Sequence, residues 1–399
     1  MFKQLGTISV ILLLLFQRSL SGKVTLRLLR ELVHDNYQSQ YVVSPFMVKV
    51  ALAEIYADRE SEKDAALQDE DPELDESFSE LGKRLNKTKS SQFMLGSRLF
   101  LSHVLPVRES PRIWNTDIST SIDFAQKGEA TRTINDWLAK TLEEQTSNIV
   151  VPKELDNGTK GIAISGISVT GRWLHRFESL HKTYFVTRDL TGQVAHSLCV
   201  PMMHTFNSFA TMATDNARGI FIPFSYGEDM GMLVLLPRNG IETKDLLDDV
   251  QLYFNTTLSA PRDMHLFLPI FRVESDKKLG SFMQGLDIAD LLRDTKFHRS
   301  FDHNAYDKIN EFKLRTVVHI QPNRPLIEMA DTHSVKHDII EEVFDVNQSF
   351  VFVIKDRDTV YVAGRIEHLE GLTPKVNCSQ KFAESGYHLR KLRRGKSYF

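Results

Sequence analysis

The chain has 399 residues, 42% of them hydrophobic and 25% charged, which is enough apolar content for a large core. A formal net charge of −3 gives no basis for a nucleic acid partner. Its 13 prolines and 20 glycines are scattered rather than gathered into a linker, and no internal period repeats, so one large domain is the simpler organisation.

At the start, Lys3 precedes an apolar run from Val10 to Phe16, followed by small residues at Ser19 and Ser21. That pattern predicts a signal peptide over residues 1–22, with the mature chain opening near Gly22 or Lys23. The run is too short to cross a bilayer comfortably, so no membrane span is expected. Leu26, Leu29 and Val33 then recur at helical spacing and predict an amphipathic helix near 23–34. A short strand is expected at Tyr41 to Val43, after which Ser44 can cap a helix that begins at Pro45.

Ala130, Ile134, Trp137, Leu138 and Thr141 mark a further helix. Beyond it, short apolar or alternating runs closed by glycine or proline predict strands at Ile162 to Trp173, Ile220 to Pro223, Met230 to Leu236 and Met264 to Leu268. Phe350 to Ile354 and Thr359 to Ala363, joined by Asp356-Arg357-Asp358, read as a hairpin. Helices first and long strands later, without βαβ alternation, indicate an α+β protein built around large mixed sheets.

Five Asn-x-Ser/Thr sequons, at Asn86, Asn157, Asn255, Asn347 and Asn377, agree with export and make the chain a candidate glycoprotein. The two cysteines, Cys199 and Cys378, are too few for a disulfide scaffold. Cys199 lies between Leu198 and Val200, where a buried free thiol is the preferred reading, with a link to Cys378 as the alternative. Carboxylates crowd the stretch from Asp58 to Glu80, while Arg390, Lys391, Arg393, Arg394 and Lys396 make the end basic. Solvated surface and a flexible tail are the plain readings of these. A processing site after Arg393-Arg394, or contact with an anionic surface, are the functional ones.

Several stretches in matching order resemble the serpin family. They are Val42-Val43-Ser44-Pro45-Phe46, Ile134-Asn135-Asp136-Trp137, Gly171-Arg172-Trp173 with Phe177 and Thr183, and Pro201-Met202-Met203. Ile222-Pro223-Phe224-Ser225-Tyr226, Met232-Leu233-Val234-Leu235-Leu236-Pro237, Leu268-Pro269-Ile270-Phe271, Phe350-Val351-Phe352 and Gly364-Arg365-Ile366 continue the series. The resemblance runs from about residue 23 to residue 369, leaving 370–399 as a basic C-terminal extension. It implies helices packed around three β-sheets, with an exposed reactive loop near the C-terminus. A protease cuts that loop, which then inserts as a new central strand and drags the acylated enzyme with it.

Such a loop needs a hinge of small residues and side chains that can enter a core. The resemblance makes His319 the family histidine under the central sheet, beside Ser44 and Ser165. The family's second serine reads Met47 here and its asparagine near Ser165 is gone, so few polar partners are expected for His319 and packing in place of a hydrogen-bonded cluster. Glu328 is made the opening of the hinge. Met329, Ala330, Asp331 and Thr332 follow, where the family carries glycine, threonine and a run of alanines. Counting back from Phe344 puts the scissile pair at Lys336-His337. The eight residues from Met329 to Lys336 reach only about 26 Å as a strand, too little for a long sheet. Either register of insertion also buries ionisable groups, Asp331, His333 and His337 on one face or Lys336 and Asp338 on the other, at several kcal/mol for each uncompensated charge.

The expectation is therefore a secreted, extracellular serpin-fold protein with a binding or regulatory role and an unidentified protein partner. The alternative is a working inhibitor of an extracellular trypsin-like serine protease, with Lys336 as bait. No Gly-x-Ser-x-Gly, phosphate loop or His-Glu-x-x-His occurs, so no catalytic residue is nominated and an enzyme is not expected. His333 and His337 alone make a poor metal pair, and neither a metal nor another cofactor is expected.

Overall fold

The computed structural model describes residues 40–48, 50–51, 92–104, 112–113, 116–117, 119–144, 148–156, 158–188, 193–225, 229–238, 240–248, 257–279, 311–328, 342–357 and 359–378. The leader, the first predicted helix and the acidic stretch lie outside them. So do Asn86, Asn157, Asn255, the segment from Met329 to Glu341, which contains Ala330, Asp331, Thr332, Lys336 and His337, and the basic residues from Arg390 onward.

The strands in chain order are β1 (Tyr41–Val43), β2 (Phe93–Ser102), β3 (Arg112–Ile113), β4 (Thr116–Asp117), β5 (Ser119–Ile122), β6 (Gly161–Thr170), β7 (Ser179–Arg188) and β8 (Val194–Ala213). They continue with β9 (Ala217–Pro223), β10 (Gly231–Pro237), β11 (Arg262–Pro269), β12 (Phe271–Lys278), β13 (Glu311–Ile320), β14 (Ile327–Glu328), β15 (Glu342–Asp345), β16 (Phe350–Lys355) and β17 (Val360–Ile366). Helix α1 covers Lys127–Leu142 and α2 covers Thr243–Asp248.

Five strands form a central sheet in the order β12-β13-β6-β2-β5. A second body of sheet runs β1-β17-β16-β10-β9 to the end of β8. The long strand β8 also carries a third group, in which β7 lies on one side with β14 beyond it, and β11 lies on the other side with β15 beyond that. The second and third groups thus meet through β8, and with the separate central sheet their inward-facing residues form a continuous core from Tyr41 to Leu369.

Sequence periodicity explains how α1 sits on the central sheet. Ala130, Ile134, Leu138 and Leu142 are buried along one face, as the apolar spacing requires. Gly96 of β2 stands opposite Gly166 of β6, and both lie beneath this helix. A Cβ added at Gly166 lands 2.7 Å from Leu138, and one at Gly96 lands 2.5 Å from Thr141. The paired glycines are what let the helix approach the sheet. At its far end Glu143 turns left-handed, with φ 52°.

Ser44 caps the helical residues that follow it, as expected: its Oγ accepts from the backbone N–H of Met47 at 3.1 Å and donates to the carbonyl of Tyr361 at 2.6 Å. The cysteines depart from the preferred reading. Cys199 is not a free thiol but is bonded to Cys378, with 5.7 Å between the Cα atoms. The described part of the extension is accordingly held down rather than loose. The carbonyl of Leu372 accepts from Arg272 N at 2.8 Å, and Thr373 Oγ1 donates to the carbonyl of Ile270 at 2.6 Å.

Candidate functional site

The region implied to do the work is the seam between β6 and β13 and the chain that leaves β13. The two strands pair in parallel without interruption over nine positions, from Glu311 opposite Ile162 to His319 opposite Thr170. The central sheet is therefore closed at this seam.

Here the structure corrects two expectations. Ser165 stands opposite Leu314, not His319, and its hydroxyl pairs with that of Ser97 at 2.7 Å. Ser44, Ser165 and His319 form no single cluster, since each is bonded elsewhere. His319 lies on the other face, the one that carries α1, because it alternates with Arg315 opposite Gly166. It is also well supplied with polar partners. Its Nε2 lies 2.5 Å from Glu144 Oε1, to which it donates, and Arg272 Nε lies 3.3 Å from the same nitrogen.

Glu144, two residues past α1, is the residue that sequence reasoning missed. Its carboxylate takes the Ser168 hydroxyl of β6 at 2.9 Å, His319 of β13, and Arg272 Nη2 of β12 at 3.4 Å. One side chain thus ties both edges of the seam. Burial pushes this carboxyl up, but the hydrogen bonds and charges of His319, Ser168 and Arg272 outweigh it and hold the group below the usual carboxylate range.

The same face continues downward as a row of ion pairs. Arg315, 1% exposed, is held by Asp276 at 2.7 Å and 2.5 Å. Lys313 meets Glu154 at 2.7 Å and the carbonyl of Ile149 at 2.9 Å. Glu154, raised by burial but lowered further by Lys278 and Lys313, falls to about 2. Alternate cations along Lys313-Leu314-Arg315 facing alternate charges on β12 were the sequence signal for this row.

The second correction concerns the hinge. β13 ends at Ile320, and Glu328 lies in β14, paired in parallel with Leu180 of β7 on a different sheet. Glu328 therefore does not open the segment leaving the central sheet; Gln321 does. The free length grows accordingly, because the sixteen residues from Gln321 to Lys336 reach about 53 Å as a strand, against roughly 33 Å for the ten residues of β6. Shortness is no obstacle to insertion.

The true exit is built differently from a chain of small residues. It reads Gln321-Pro322-Asn323-Arg324-Pro325-Leu326. Trp173, 1% exposed and packed against Phe177 and Phe224, donates from its indole to the carbonyl of Gln321 at 2.9 Å. Asn323 accepts from Trp173 N and donates to Trp173 O, both at 3.0 Å. Gly171 is required beside this tryptophan, since a Cβ there lands 2.5 Å from the indole ring.

Of the sequons on described residues, Asn377 is exposed, while Asn347 uses its amide on Asp345 at 2.7 Å.

A mixed α+β body of sheets, with a closed five-stranded sheet whose interior strand β13 is followed along the chain by β14 and β15 on a different sheet, defines the class. The serpin family model, described as serine protease inhibitor, matches residues 19–369, and the chain belongs to that family. Antichymotrypsin-2 of Bombyx mori is 22% identical over 359 residues, covering 83% of this chain and 92% of the relative. Leukocyte elastase inhibitor of Xenopus tropicalis is 24% identical, covering 83% and 93%, and ovalbumin of Coturnix coturnix is 25% identical over 60% and 63%. Among solved structures, Manduca sexta serine protease inhibitor (serpin)-12 superposes with a TM-score of 0.70 at 17% identity, covering 88% of this chain and 98% of its own. Native protease nexin-1 with heparin gives 0.71 at 17%, covering 89% and 99%.

Proposed function

We propose that this chain is a secreted serpin that acts through binding or regulation rather than by trapping a protease. The observation that carries the reading is the exit from β13. Insertion from Ile320 needs a segment that can pair on both sides within the sheet, yet Pro322 and Pro325 bring no N–H, and proline is found essentially only at sheet edges. Asn323 and Gln321 are meanwhile held by Trp173. Further along, Asp331, His333, Lys336, His337 and Asp338 put ionisable groups on both faces of any inserted strand, each costing several kcal/mol without a partner.

Secretion is supported by the leader pattern, by the sequons and by the Cys199–Cys378 bond, which suits an oxidising compartment. No described helix is long and apolar enough to cross a membrane.

One observation favours a second reading. The sixteen residues before His337 are long enough to fill the sheet, and two of the relatives above are named for inhibition of or action against a protease. On that reading Lys336 is the bait and the partner is an extracellular trypsin-like protease.

Mixing the purified chain with trypsin and related proteases separates the two. The binding reading expects simple cleavage or none, with no protease-linked band on a denaturing gel and an unchanged melting temperature after nicking. A covalent band through Lys336 with a large rise in melting temperature establishes the inhibitor instead.

A further inference from the structure

The family match ends at residue 369, and the chain beyond it is strapped back onto the body. Leu372 N donates to the carbonyl of Leu369 at 3.1 Å, the carbonyl of Leu372 accepts from Arg272 N, and Thr373 Oγ1 donates to the carbonyl of Ile270. Cys378 then closes the strap on Cys199 of β8, which lies in register with Tyr184 of β7. Cys378 is also the middle residue of a sequon, Asn377-Cys378-Ser379. Its neighbour Asn377 is exposed, while Cys378 itself is half-buried.

Two reactions of an export pathway therefore compete for three consecutive residues. In one, the Asn377 amide nitrogen attacks the anomeric carbon of an oligosaccharide carried on a lipid pyrophosphate. A C–N bond forms, the C–O bond to the pyrophosphate breaks, and the amide gives up one proton as the lipid pyrophosphate leaves. In the other, the thiols of Cys199 and Cys378 exchange with a protein or glutathione disulfide. One S–S bond forms, and two electrons and two protons pass to the exchanging disulfide, which leaves as two thiols.

The order of the two reactions matters. A sugar-transferring enzyme must take hold of the asparagine and of the hydroxyl two residues on at the same time. Once the bond has closed, the Cα of Cys378 lies 5.7 Å from that of Cys199. That is close to the spacing of neighbouring strands, about 4.8 Å, so one side of the sequon lies against the sheet with no room for a second protein between them. The reverse order meets no such obstacle. Asn377 is exposed, so a sugar already placed there points into solvent and leaves Cys378 able to reach Cys199.

We propose, resting on the reading of the chain as secreted, that the Cys199–Cys378 bond is the gate on glycosylation of Asn377. Chains that receive the sugar first keep it and then close the bond; chains that close the bond first leave without it. The other sequon on described residues gives the contrast. Asn347 donates to Asp345 at 2.7 Å, its carbonyl accepts from Val186 N at 2.9 Å, and the buried Ser349 hydroxyl donates to the carbonyl of Glu367 at 2.8 Å. That sequon is closed by hydrogen bonds of the fold, and the cysteines have no part in it.

The test expresses the full chain in secreting animal cells. It measures, on peptides from the medium, the fractions of Asn377 and Asn347 that become aspartate when the sugar is removed enzymatically. Wild type is expected to be incompletely modified at Asn377, with the disulfide intact. Cys199→Ser leaves the sequon untouched and Cys378→Ala preserves it as a sequon; each should lower the unmodified fraction of Asn377 by about twofold or more, because bond closure no longer competes. A brief exposure of the cells to dithiothreitol, then washout, should do the same to wild type without a variant that must fold lacking the bond. Full modification of oxidised wild type, or an unmodified fraction that neither the variants nor the reductant lower, overturns the proposal. So does an equal rise at Asn347, which assigns the effect to slower folding. Sugar at no sequon, or no chain in the medium, overturns the secretion reading and the gate with it, whereas sugar at other sequons with an unmoved Asn377 overturns the gate alone.

Discussion

Asn323 and Trp173 hold each other through two backbone hydrogen bonds of 3.0 Å, at the point where the chain turns away from the central sheet. The asparagine works as a clasp, since its amide satisfies both the N–H and the carbonyl of a residue 150 positions earlier. Asn323→Ala removes both bonds and is expected to cost about 1–2 kcal/mol in denaturant unfolding. Because the clasp immobilises the exit, the variant should also be nicked faster between Gln321 and Lys336 at a protease concentration that spares wild type. Equal nicking rates in the two proteins contradict the role.

What the sequence made legible follows from how local each signal is. The helix marked by Ala130, Ile134 and Leu138 and the hairpin of β16 and β17 are set by nearby spacing and by Asp356, whose carboxylate takes the Thr359 N–H at 2.8 Å. The exit from β13 is set by where β6 stops, at Thr170, about 150 residues away, so no neighbouring residue marks it. Glu328 carries the hinge assignment in the sequence because it is a glutamate at a plausible distance beyond His319. His319 was misplaced by the same cause, since a shift in register along β13 changes its partner and its face. The bond between Cys199 and Cys378 spans 179 residues and has no local trace at all.

That bond supports the next expectation. Cross-linking residues 179 apart removes loop entropy from the unfolded chain worth up to about 5 kcal/mol in the simplest model. Reduction, or Cys378→Ser, should lower the melting temperature and free the chain beyond Leu372. Mass spectrometry of an unreduced digest should first recover the linked pair of peptides. Two free thiols in native protein purified under oxidising conditions sink the assignment.

The glycine pair beneath α1 makes a third. Gly166→Ala drives a methyl to 2.7 Å from Leu138 and 3.1 Å from Leu142, so the helix must lift or the side chains leave their rotamers. A loss of about 1–3 kcal/mol is expected from overpacking. Gly128→Ala, on the same helix with nothing within 4 Å of the new Cβ, is the control and should be neutral or slightly stabilising. A matched loss at both positions shows that the added methyl costs as much away from the sheet, so the seat of the helix on the sheet does not govern the effect.

Glu144 supplies the last prediction. Ser168, His319 and Arg272 bring three strands to one carboxylate, so its ionised form belongs to the closed sheet. Burial opposes that charge, and the partners overcome it, leaving the group depressed below its ordinary 4.5. A depressed carboxylate contributes stability that is complete above 4.5 and is lost as pH falls through the lower folded value. Wild type should therefore lose stability on acidification below about pH 4.5 more steeply than Glu144→Gln, which keeps the shape and removes the charge. At neutral pH the same variant should be weaker by about 2 kcal/mol, the worth of charge-assisted hydrogen bonds in a half-buried site. Urea unfolding at a series of pH values measures both. Parallel stability curves for the two proteins across the acid range mean that Glu144 does not titrate with the closed seam, and that the sheet is held by backbone pairing between β6 and β13 alone.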